Sequence, residues 1–137
     1  MTLSTSQKTG FLLILIFTLA SIIAMFAQDK IPQDIAYHDF SDLRTIFAVP
    51  NFWNVLSNLP FLIVGLLGLF NLFINKNLLI IEQMKAAYAL LFFGVFLVAF
   101  GSGYYHLSPN NQTLVWDRLP MTIAFMAMFA IIIAEFI

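Results

Sequence analysis

The chain has 137 residues, of which 61% are hydrophobic and 9% charged, with a mean hydropathy of +0.93 and a net charge of −1. A soluble domain carries roughly 25% charged residues, so this chain lacks the polar side chains to cover a globule, and a bilayer is its expected solvent. Six basic residues with no basic patch argue against a nucleic-acid binder, and the absence of cysteine excludes disulfides and thiolate metal ligands.

Four segments carry no charge: 11–27, 52–74, 86–105 and 119–134. Crossing the hydrocarbon core takes about 17–25 apolar residues as helix. The first segment is just long enough, and the middle two fit comfortably. The first also has the look of a secretory signal, with Lys8 ahead of an apolar core. That core exceeds the usual ~7–15 residues, and Met25 would stand at the −3 position of a cleavage after Ala27, so an uncleaved helix is expected. The fourth segment reaches the last residue only by including Glu135, which predicts a piece of a longer polytopic protein. Strand alternation is absent, as in Leu66-Leu67-Gly68-Leu69 and Ile131-Ile132-Ile133. Only helices or closed barrels satisfy their backbone in lipid, so the predicted fold is all-α, a polytopic transmembrane bundle with four membrane helices. Residues 1–36 read as an added amino-terminal span and loop, and 37–137 as a partial bundle. Gly65/Gly68 and Gly101/Gly103 offer small surfaces where helices can approach closely.

Orientation is poorly encoded. Lys8, Lys76 and Lys85 fall on one side, and Lys30, Arg44 and Arg118 on the other, so the positive-inside rule is silent. Five of the seven acids (Asp29, Asp34, Asp39, Asp42, Asp117) share the second side, which is expected to face outward.

The first polar cluster is Tyr37-His38-Asp39-Phe40-Ser41-Asp42, followed by Asn51-Phe52-Trp53-Asn54. Asp39, Asp42 and Asn51 offer the hard oxygens that calcium prefers, although the spacing is not that of an EF-hand loop and a solvated acidic loop reads the same way. Trp53 suits an interfacial anchor. Asn54, Ser57 and Asn58 form a polar stripe at helical spacing, expected to face protein or water, with interhelical hydrogen bonding as the plain alternative.

Ser102, His106 and Asp117 form the most informative constellation. Ser102 and His106 are four apart and share a helix face. Asp117 follows eleven residues later, across the turn Ser108-Pro109-Asn110-Asn111, and opens the next apolar run. Each has an ordinary reading: an interfacial histidine, a helix-start carboxylate or partner of Arg118, a serine bonded one turn back. Together at membrane depth they point to a functional site. The chemistry that suits them is metal-assisted hydrolysis. A catalytic zinc takes three protein ligands and a water; His106 would be a ligand, Asp117 the base and Ser102 the donor to an oxyanion. His38 is the only other histidine; using it and Asp117 as ligands would consume the base, so the set is two ligands short. Glu135 reads either as a coupling carboxylate or as a residue at the far interface.

Phe52-Trp53-Asn54-x-x-Ser57-Asn58, Ser102-x-x-x-His106 and Asp117 together resemble the alkaline ceramidase family, intramembrane metal-dependent amidases within a superfamily of seven-helix hydrolases. The resemblance spans roughly residues 37–137, and the serine–histidine–aspartate spacing is its most specific part. It implies zinc held by His106 and by two histidines of a late His-x-x-x-His helix, with Ser102 and Asp117 assisting catalysis. It also implies calcium on the acidic segment before the Phe-Trp-Asn helix, which Asp39 and Asp42 resemble in part; Asn51 stands where animal members have glutamate, and the segment is shortened. No His-x-x-x-His occurs in this sequence, and 11–27 precedes the region of resemblance.

The expected function is that of a multi-pass integral membrane amide hydrolase acting on ceramide-like lipid, with zinc as cofactor, calcium as a second candidate, and no nucleic-acid partner. The competing classes are a non-enzymatic membrane protein, receptor-like or an assembly factor, and a transporter subunit using Asp117 and Glu135.

Overall fold

The structure, a computed structural model, describes residues 4–29, 31–75 and 77–136. Lys30, Lys76 and Ile137, used above in the charge comparison and at the end of the fourth segment, lie outside the described residues. The described residues are 73% helical, with no strand among them, and four helical stretches are long and apolar enough to cross a membrane: Thr5–Phe26, Phe52–Ile74, Glu82–Leu107 and Leu114–Phe136. The chain divides into two compact units, Met1–Pro32 and Gln33–Ile137.

In the first unit, helix α1 (Thr5–Phe26) starts at a capping box. The Ser4 hydroxyl accepts from Gln7 N, and the Gln7 side chain accepts from Ser4 N. Thr9 and Thr18 return their hydroxyls to the carbonyls of Thr5 and Ile14, so neither leaves a donor unpaired.

The second unit contains α2 (Phe52–Leu56), α3 (Leu59–Ile74), α4 (Lys85–Leu107) and α5 (Leu114–Phe136). The expected span 52–74 is not one regular helix but breaks at Ser57–Asn58. Ser57 Oγ donates to Asn54 O, Asn58 Nδ2 donates to Asn54 O and Val55 O, and Pro60 brings no N–H to the turn beneath. Ser57 and Asn58 therefore spend their donors on carbonyls of their own segment, while Asn54 Nδ2 reaches Asp42 O at 3.5 Å, and the interhelical bonding given as the alternative is not found among the described residues. The fourth helix is longer than its uncharged core, beginning at Leu114 and including Asp117 and Arg118.

Two close approaches lock α4 between its neighbours. A Cβ on Gly65 of α3 would lie 2.5 Å from Phe96 N of α4, so only glycine lets those backbones meet. On the other side, Pro120 inside α5 cannot donate to the carbonyl of Trp116 one turn earlier. A Cβ on Gly101 would collide with that same Trp116 oxygen and stand 3.1 Å from Pro120 Cγ. Gly94 repeats the pattern further along, 2.8 Å from Ala124 N on the same construction. Gly103, grouped with Gly101 in the sequence, meets nothing within 4 Å and takes no part in this contact.

The connection from α4 to α5 is equally constrained. Asn110 Oδ1 accepts from Gln112 N and Thr113 N, and buried Thr113 donates its hydroxyl to Ser108 O at 2.7 Å. This is an Asx turn closed by a second side chain. Gly101→Leu is expected to force α4 and α5 apart and to lower stability by about 2 kcal/mol or more, whereas Gly103→Ala should be tolerated. Thermal unfolding of the two variants in detergent checks this; equal losses would refute the assignment.

Candidate functional site

Ser102, in the last turns of α4, is buried at 7% exposure, and Asp117, in the first turn of α5, is half-buried. The Gly101 crossing brings them together. Both line one cleft of about 410 Å³, whose other walls are apolar: Phe61 of α3, Leu91, Val95 and Val98 of α4, and Met121, Phe125 and Met128 among those of α5. From Ser102 to Leu91, and from Asp117 to Met128, the cleft follows each helix for roughly 16 Å at the α-helical rise. It is an apolar trough with a hydroxyl and a carboxylate at one end.

Asp117 takes the helix-start position of its ordinary reading, in the first turn of α5, whereas the ion pair to Arg118 and the back-bonded serine do not form among the described residues. Thr122 bonds back to Arg118 O, but Ser102 makes no such bond among the described residues. Arg118 turns away from Asp117: its guanidinium lies 5.4 Å from the Tyr37 ring centroid, and with the Gln33 amide assigned in the flipped orientation that satisfies both its ends, the two terminal nitrogens donate to the Gln33 oxygen at 2.9 and 3.1 Å. Asp117 thus has no ion-pair partner among the described residues and faces the cleft.

His106 does not line the cleft. Its ring packs against Phe40, centroids 4.7 Å apart, and against Tyr105 at 5.1 Å, and its Nδ1 is buried with no hydrogen-bond partner. A buried imidazole nitrogen without a partner is uncommon and calls for an explanation. A strap over residues 33–51 holds this end of the unit. Gln33 and Asn111 exchange two backbone–side-chain bonds, at 2.8 and 3.2 Å. The His38 Nδ1 and the Tyr105 hydroxyl are 2.8 Å apart, with Tyr105 only 2% exposed, and Asn51 Nδ2 donates to His106 O at 2.8 Å. His38 Nε2 is a second buried nitrogen without a partner.

The strap places the three oxygen-bearing residues apart in role. Asp39 is exposed. Asp42 is buried and both its oxygens are committed, Oδ1 to Arg44 Nε at 2.7 Å and Oδ2 to Trp53 N at 2.9 Å, where it satisfies the start of α2. Asn51 presents its amide nitrogen to His106 and adopts the left-handed conformation, φ 48°. Among the described residues no group of three His, Cys, Asp or Glu is placed to hold a metal ion. At the far end of α4, Glu135 accepts a hydrogen bond from Tyr88. The roles of Tyr105, Phe40 and Arg118 had no sequence signal beyond residue type, because each acts through a contact with a distant segment.

Residues 41–137 match the family model described as Ceramidase. Neither curated proteins nor solved structures give a significant match.

The Arg44 guanidinium, helped by Trp53 N–H and opposed by desolvation, holds the Asp42 carboxyl below its ordinary range. A lowered folded value means that Asp42 contributes stability above the ordinary aspartate range and loses it as pH falls through the lowered value. Hydrogen exchange at the Trp53 amide should therefore stay slow from neutral pH into mild acid and quicken only below that range. Asp42→Ala, which removes the acceptor, should exchange fast throughout, and a wild-type amide still protected in strong acid would contradict the assignment.

Proposed function

The chain belongs to the ceramidase family, and from that premise we propose that it is a membrane-embedded, zinc-dependent hydrolase of the amide bond in ceramide-like lipids. The observation that carries the reading is the shared cleft of Ser102 and Asp117, two polar groups free of competing bonds at the head of an apolar trough.

The residues fit zinc in part. His106 offers a buried Nδ1 with no protein partner, which is what a metal-binding imidazole requires. It is one ligand, and no group of three His, Cys, Asp or Glu placed to hold the ion is found among the described residues. Zinc, when bound, supplies Lewis acidity that makes a water nucleophilic near neutral pH. Calcium fits less well, because both Asp42 oxygens already serve Arg44 and Trp53, and no step is derived through it.

The protein's own groups divide the remaining work. Phe61, Val95 and Met128 bind apolar chain, and each buried methylene favours that environment by ~0.8 kcal/mol. This holds an amide carbonyl at the Ser102–Asp117 end. Asp117 accepts a proton from the attacking water as its oxygen bonds to the carbonyl carbon. Ser102 donates its hydroxyl proton in a hydrogen bond to the oxygen on which negative charge develops. Asp117 then returns the proton to the nitrogen as the C–N bond breaks, releasing a fatty acid and an amine. The low polarity of the walls strengthens both contacts.

The test is made in native membranes, with short-lived exposure to detergent. His106→Ala should lower zinc bound to the purified protein. Ser102→Ala should retain zinc and lose about 10²–10³ in the rate of lipid amide hydrolysis, and Asp117→Asn about 10²–10⁴. Unchanged zinc in the first variant, or unchanged hydrolysis in the other two, would favour a non-enzymatic membrane protein instead.

A further inference from the structure

Phe47 and Ala48 are the two central residues of a two-residue turn, closed by reciprocal bonds between Ile46 and Val49 of 3.1 and 3.0 Å. Both have positive φ, 52° and 62°. Such turns ordinarily carry Asn-Gly, Asp-Gly or Gly-Gly, because a Cβ resists that backbone. Here the first position holds a phenylalanine that is 90% exposed. A strained backbone that presents a large apolar ring outward is an outlier from which inference runs toward function.

What the ring meets is constrained by its surroundings. The turn lies five residues ahead of Phe52, where a stretch long and apolar enough to cross a membrane begins. Phe47 meets the Phe52 ring (centroids 6.2 Å), and Phe52 meets Trp53 edge-on at 5.2 Å, with Trp53 48% exposed. These three rings form a row that runs from the turn onto the flank of that stretch. Beside them Leu43 is 75% exposed, and the Arg44 side chain is 70% exposed despite its bond to Asp42. Exposed aromatics and a cation at the end of an apolar span match the chemistry of the headgroup layer.

We propose that residues 43–48 form a membrane-interface anchor, with Phe47 inserted below the headgroups of the leaflet that Phe52 enters, and Arg44 facing lipid phosphate. The stem of this anchor is tied at one end to the start of α2, through Asp42 on Trp53 N, and at the other to the candidate site, through Asn51 on His106 O. The anchor therefore sets the depth of His106 relative to the headgroups. The inference rests on the reading that Phe52–Ile74 crosses a bilayer.

The natural chain has no cysteine, so single cysteines can carry a nitroxide label without further substitution. Ser41→Cys, Thr45→Cys, Phe47→Cys and Ile63→Cys are reconstituted separately in phosphatidylcholine vesicles containing some phosphatidylglycerol. Power saturation then gives accessibility to oxygen against a water-soluble nickel complex. The oxygen-to-nickel ratio should rise from 41 through 45 to 47, being about threefold higher at 47 than at 41, as insertion ~5–10 Å into the interface implies. A ratio at 47 equal to that at 41, with 63 deep, overturns the anchor and leaves the membrane reading standing. A label at 47 shielded from both reagents means a protein partner or second copy, and also overturns it. A shallow value at 63 sinks the membrane reading itself.

Discussion

The contact on which the unit 33–137 depends is the one between Gly101 and the carbonyl of Trp116. Pro120 denies that carbonyl its helical donor, and Gly101 leaves the space into which it projects. One missing N–H and one missing Cβ thus meet at a single point of the α4–α5 crossing. The residue after Gly101 is Ser102, and the residue after Trp116 is Asp117. Closeness of the backbones at this point is what puts a hydroxyl and a carboxylate at the mouth of the same cleft. A bulkier residue at 101 would separate the two groups before it disturbed either one.

The strap over residues 33–51 completes the arrangement from outside the helices. Its bonds run to Asn111, Tyr105, Arg118 and the His106 carbonyl, and so reach both helices and the turn between them. Arg118 is central to this. By engaging Gln33 and Tyr37 it leaves the neighbouring Asp117 without an ion-pair partner among the described residues, so adjacent residues of one helical turn face the strap and the cleft respectively.

Much of this was legible in the sequence. Uncharged runs of sufficient length marked all four apolar helices, since a helix in lipid is specified by length and hydrophobicity before any tertiary contact. The i, i+4 spacing of Ser102 and His106 and the early position of Asp117 in the next helix were equally visible, and the family match over 41–137 agrees with the resemblance those residues carry. The break at Ser57–Asn58 was not visible, because a polar side chain bonding its own backbone and one bonding a neighbouring helix leave the same pattern. Nor was the fate of Asp42: a carboxylate that caps a helix and one that binds a cation are the same letter. The separation of His106 from the cleft depends on Phe40, brought from more than sixty residues away in the chain.

The trough has a further consequence. Phe61, Met121, Phe125 and Met128 are both lining residues and exposed ones, so the trough is open along its apolar flank, while the strap engages the opposite, polar end. On the membrane-embedded reading proposed above, a molecule seated there arrives sideways out of the hydrocarbon, so its relevant dose is its mole fraction among surrounding lipids and diluting the aqueous phase leaves occupancy untouched.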